Sequence, residues 1–192
     1  MKSVVSVIAV LTFGMLSTLF VSPASAQAPN EPSLVTVKTF MASSKLAPGQ
    51  PVEVLVVVQV QKPWHINANP ANPDYLIPTE FKLVATEGSK VDQLKYPKSG
   101  TIKMDGIDEP VHVYEGEFAI FGKITAPAEA AGKTESLDMQ LHYQACNDQK
   151  CLQPNKVSIK GKVPVAAVGE ALELQNQKLF EKYRPKPEEK KK

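Results

Sequence analysis

The segment Tyr143–Pro154, YQACNDQKCLQP, carries both cysteines of the chain, Cys146 and Cys151, with four residues between them. Two thiols this close can form a structural staple, hold a soft metal ion, or cycle between dithiol and disulfide. As a staple the pair is weak. Closing so short a loop removes roughly 2 kcal/mol of chain entropy from the unfolded state, against about 4.7 kcal/mol for a 100-residue loop. As a metal clasp it would recruit His142, His65 or His112, since two thiolates and an imidazole suit copper(I) or zinc. The cysteine spacing is not that of a zinc knuckle, however, and the histidines lie on separate segments. As a redox couple the pair gains from the turn-forming NDQK between the sulfurs, because a bridge in an exposed turn is open to an attacking thiolate. Within that turn Lys150 favours a thiolate at Cys151 and Asp148 opposes it, so the sequence sets no direction of pKa shift. We carry the redox reading forward with no metal site assigned; the alternatives are a noncatalytic binding module, its loop rigidified by the bridge, and a copper or zinc carrier using the two thiols and a histidine.

The setting of the cysteines follows from the start of the chain. Lys2, an apolar run from Val4 to Phe20, and the small residues Ala24 and Ala26 have the layout of a secretory signal peptide over residues 1–26. Export to the periplasm is therefore expected, an oxidising compartment in which neighbouring thiols are normally joined. No membrane span is expected after cleavage. With 22 basic and 20 acidic residues the charge is near balance, which excludes a nucleic-acid partner from the expectations. The chain is long enough to fold on burial alone, and a monomer is expected.

The elements that must position the cysteines read as strands. A polar, proline-rich leader over 27–33 precedes runs with a period of two: LVTVKTF, VEVLVVVQVQ, EFKLVA, VDQLKY, VHVYEGEFAIFGKI, LDMQLHYQA and KVSIKGKVPV. Turn-forming segments such as APGQP, NPANPD and PKSG separate them. About seven short strands without strong helices between them predict an all-β, immunoglobulin-like antiparallel sandwich over residues 34–168. Val52, Val54, Val56, Val58 and Val60 share one face of the best core strand, with Leu55 and Val57 on the other. Alternation from Leu137 places Met139, Leu141, Tyr143 and Ala145 on one face, and Gln140, His142, Gln144 and Cys146 on the opposite one. A short C-terminal helix over 169–185, acidic early and basic late, and a charged tail over 186–192 complete the chain.

YQACNDQKCLQP, together with KPWHINANPANPDYLIPTEFKL some eighty residues earlier, resembles the N-terminal periplasmic domain of the thiol:disulfide interchange protein DsbD. The likeness runs from about Leu34 to Val165. It implies an immunoglobulin-like domain that passes electrons between a thioredoxin-like donor and exported acceptor proteins by thiol–disulfide exchange, with no cofactor. It further implies that Cys151 forms the mixed disulfide with a partner and that Cys146 is the resolving thiol. Family members shield their cysteines with a cap loop, whose positional counterpart here is Asp105–Gly116. The family's capping phenylalanine has no direct match, and Val111, His112, Val113 or Tyr114 stands in its place. The cysteines are also one residue closer than in the best-known members. Trp64, His65 and Tyr75 are candidates for shielding the sulfurs, with Trp64 read more readily as an ordinary core residue and a proton-shuttle role for His65 the weaker reading. The carboxylates Asp105, Asp108, Glu109 and Glu115 read as solvated, any one near the sulfurs being a possible proton acceptor. No counterpart of the family's membrane-embedded electron channel or C-terminal thioredoxin-like domain is read in these residues. Donor and acceptor are therefore expected to be separate proteins.

Overall fold

Alternating valines fix the centre of the fold. Strand β2 (Pro51–Val60) pairs antiparallel with β1 (Val35–Met41) on one side. Val52, Val54, Val56, Val58 and Val60 all point into the main core, as a period of two requires of a strand buried on that face. Each such side chain contributes about 1.5–3 kcal/mol by leaving water. The computed structural model describes residues 33–92 and 94–184. The expected signal peptide, nearly all of the leader and the charged tail lie outside the described residues. No described helix is long and apolar enough to cross a membrane.

In chain order there follow β3 (His65–Asn67), β4 (Glu80–Ala85), β5 (Lys90–Val91), β6 (Gly100–Met104), β7 (Ile107–Glu115) and β8 (Glu117–Thr125). A single 3₁₀ turn at Ala128–Ala130 leads to β9 (Thr134–Tyr143), β10 (Ala145–Cys146), β11 (Asn155–Pro164) and helix α1 (Gln177–Tyr183). The strands form three sheets, ordered β1-β2-β8-β5, β10-β3-β7-β6 and β11-β9-β4, and every strand pairing is antiparallel. The main core gathers the β2 valines with Phe118, Ile120 and Ile124 of β8, Phe81 and Leu83 of β4, and Leu137, Met139, Leu141 and Tyr143 of β9. This is the immunoglobulin-like antiparallel sandwich that the alternation predicts.

Local differences from the sequence reading have physical causes. The long run VHVYEGEFAIFGKI is two strands, because Gly116 takes a left-handed φ of 59° and turns the chain from one sheet into the next. Among its described residues VDQLKY contributes only Val91 to a strand, paired in β5 with the preceding Lys90, and Lys95 makes an isolated bridge to Phe121. The helix is confined to Gln177–Tyr183. Upstream of it, Ser44 donates to the carbonyl of Glu173 and Gln175 to that of Ala42, so those backbone groups are spent on cross-chain bonds instead of a helical ladder. Phe180 anchors the helix on the outer face of β2 and β8, beside Leu55, Val57 and Ala119.

Candidate functional site

The cysteines are joined. Cys146 and Cys151 form a disulfide with S–S 2.07 Å and Cα atoms 4.0 Å apart. The backbone explains their meeting. Asn147 donates to the Lys150 carbonyl at 2.9 Å and Leu152 donates to the Ala145 carbonyl at 2.8 Å, which brackets the two cysteines as a non-hydrogen-bonded cross-strand pair, the closer of the two antiparallel geometries. The turn between them is held by one side chain, since Asn147 Oδ1 accepts from the amides of Gln149 at 3.0 Å and Lys150 at 2.9 Å. Gln144 ties the far side by donating to the Leu152 carbonyl at 3.1 Å.

The two sulfur-bearing residues differ in access. Cys146 is 1 % exposed, whereas Cys151 lies on the surface. Cys151 opens into a cleft of about 580 Å³ between the Asn147–Lys150 turn and the tip of the β6–β7 hairpin, where Lys103, Met104, Asp105 and Ile107 form the facing wall. Cys151 is thus the member of the bridge that borders this cleft.

Beneath the turn, β3 links the cysteines to the small sheet. Cys146 stands opposite His65, and His65 stands opposite Glu115 of β7. Opposed residues of antiparallel strands project to the same face, so Cys146, His65 and Glu115 form one row, with Asn67 and Val113 the next row along. Ile66, Tyr114 and Ala145 project the other way, into the main core. His65 is 2 % exposed, and its Nε2 has no hydrogen-bond partner; the same holds for Oδ1 of Asn67. Burial holds the His65 imidazole below its ordinary value of 6.5, against the opposite pull of the Glu115 and Asp148 carboxylates.

Asp105–Gly116, expected as a loop, forms the hairpin turn and β7. Val111 and Val113 are buried on the Cys146 face of the small sheet, His112 is half-buried, and Tyr114 is buried with its hydroxyl bonded to Asn69 and Pro97. None of these four lines the cleft at Cys151; Asp105 and Ile107 do. Trp64 is half-buried against the main core, and Tyr75 is 68 % exposed on the segment after β3. Asp108 and Glu109 are exposed on β7. His142 lies on β9 between Glu80 and Lys156, away from β3. Among the described residues no group of three or more His, Cys, Asp or Glu side chains is placed to hold a metal ion. Sequence reasoning passed over Met104 and Ile107, and read Asn147 only as one residue of the turn-forming NDQK. The asparagine before a turn was a usable signal, but the hairpin tip reaches the cleft only through strand pairing.

Fold and site together define an immunoglobulin-like domain with a disulfide whose one end is open to solvent. The model of the N-terminal domain of thiol:disulfide interchange protein DsbD matches residues 31–162, and the chain belongs to that family. Among solved structures, the N-terminal periplasmic domain of ScsB from Proteus mirabilis superposes with a TM-score of 0.52 at 13% identity, over 82% of this chain and 54% of that one. The chain thus spans about half the length of that relative. The Neisseria meningitidis DsbD N-terminal domain in its reduced form gives 0.40 at 15% identity, over 72% of this chain and 88% of that one. No curated protein matches the chain. A joined cysteine pair in a DsbD N-terminal-type domain fits thiol–disulfide exchange.

Proposed function

We propose that this protein is a periplasmic thiol:disulfide exchange protein that relays electrons between a thioredoxin-like donor and exported acceptors through the Cys146/Cys151 couple. The observation that carries this reading is the unequal access of the two bridged cysteines, Cys151 at a surface cleft and Cys146 beneath it. A thiolate of the donor attacks Cys151, the bridge opens, and Cys146 leaves as a thiolate. The donor's second thiol then attacks the donor sulfur of the mixed disulfide, so the donor leaves oxidised and Cys146 and Cys151 remain as a dithiol. Cys151 next attacks the acceptor's disulfide, and Cys146 attacks Cys151 in that second mixed disulfide, reforming the bridge and releasing the acceptor reduced. The hairpin tip from Lys103 to Ile107 serves as the lid, since Met104 and Ile107 supply apolar cover opposite the exposed cysteine.

Two measurements on the folded chain test this. Titration with glutathione buffers should interconvert dithiol and disulfide while the sandwich keeps its circular dichroism. The Cys146→Ala protein, incubated with the exported fraction, should retain thioredoxin-like proteins as adducts released by reductant. A bridge that yields to glutathione only after unfolding would overturn the reading in favour of a binding module with a structural staple.

A further inference from the structure

We propose that His65 is the proton carrier for Cys146, taking the proton of its thiol as that sulfur attacks the mixed disulfide and returning it when the sulfur leaves. The inference rests on the exchange reading above and assigns a further residue to it. Its ground is the row that the strand register builds: Cys146 on β10, His65 beside it on β3, Glu115 beyond on β7. Directly opposed residues place their Cβ atoms about 4.5–5.5 Å apart on one face.

Burial makes a carrier necessary. At 1 % exposure the Cys146 thiol has almost no water to receive its proton, and desolvation disfavours its thiolate. Cys151, at the surface, has solvent for that purpose. His65 is the base at hand. Its Nε2 is enclosed and makes no hydrogen bond, whereas buried polar atoms with a purely structural role nearly always have a partner. The groups that face it are Cys146, Glu115 and Asp148. Burial keeps the imidazole neutral, hence able to accept at neutral pH, and the two carboxylates steady the imidazolium once it forms.

The step balances. The proton passes from Cys146 Sγ to the imidazole, the Cys146–Cys151 bond forms, the bond from Cys151 to the partner's sulfur breaks, and the departing thiolate is protonated by the imidazolium or by water. No external oxidant or reductant is needed beyond the partner's own sulfur.

The test uses the reduced full-length protein and oxidised glutathione, which places a glutathione on Cys151 that Cys146 must then expel. Acid quenching and intact-mass measurement give the expulsion rate across the pH range in which imidazole and thiol titrate. His65→Gln should slow expulsion about tenfold or more at neutral pH, with the gap closing as alkali ionises the thiol directly. Equal rates and equal pH profiles would overturn the proposal. Should His65→Gln fail to fold, the wild-type ring is followed by nuclear magnetic resonance. The His65 titration should differ between the oxidised and reduced proteins, and an unchanged titration overturns the assignment. A wild-type bridge that never exchanges on the folded chain sinks the exchange reading and His65 with it. Normal wild-type exchange with an indifferent His65→Gln sinks only the carrier.

Discussion

Two buried titratable side chains stand in different regions of the molecule and are treated in opposite ways. Glu135, at the end of β9, is fully buried and accepts from the amides of Glu87 at 2.7 Å, Ser89 at 3.0 Å and Ser136 at 3.1 Å, and from the Ser89 hydroxyl. His65, in the row beside Cys146, is buried to nearly the same degree and has no partner at Nε2. Burial raises the Glu135 carboxyl, but the bonds from Ser89, Glu87 and Ser136 outweigh it and hold the carboxyl below its ordinary value of 4.5. At His65 burial wins over the two carboxylates. The difference separates a polar group that fastens two loops from one kept free for proton traffic.

The largest effect is expected at the sulfurs. Cys151→Ala should abolish exchange with glutathione altogether while the sandwich still folds, because a loop this short contributes only roughly 2 kcal/mol through its bridge. Glu135→Ala should cost about 3 kcal/mol in urea unfolding, since three amides and a hydroxyl lose their shared acceptor. His65→Gln should cost about 1 kcal/mol, as no hydrogen bond of Nε2 is broken. Equal costs for the two would erase the distinction drawn between them.

Acid sharpens it further. Both groups bind protons less readily when folded, so each contributes stability above its unfolded value and loses it as pH falls. The windows differ: the His65 contribution declines below pH 6.5, and that of Glu135 only below pH 4.5. Stability curves against pH should therefore lose their upper step in His65→Gln and their lower step in Glu135→Gln. The smallest effect is expected from Asn147→Ala, which frees the amides of Gln149 and Lys150 in an exposed turn. Roughly 0.5–1 kcal/mol of stability should go, with exchange at Cys151 retained.

Much of this was legible in the chain. The valine alternation over Val52–Val60 gave the core strand, and the same period from Leu137 correctly set Cys146 on the face opposite the apolar row. β3 escaped notice because three residues carry no period, and Gly116 hid a change of sheet inside one continuous β pattern. At the site the cysteine pair announced itself. Which cysteine would be covered did not follow from spacing, because that depends on β10 pairing with a strand some eighty residues away. The hairpin tip at Met104 and Ile107 reaches Cys151 through the pairing of β7 with β3, a long-range relation that local patterns do not encode.

Exchange by this protein requires attack at Cys151 while the sandwich is folded. The direct measurement is the site of glutathione attachment, read by peptide mass spectrometry, in Cys146→Ala and Cys151→Ala proteins treated with oxidised glutathione under native conditions. The prediction is rapid modification of Cys151 in the first and an unmodified Cys146 in the second until denaturant is added. Equal modification of both cysteines, or of neither before unfolding, would contradict it.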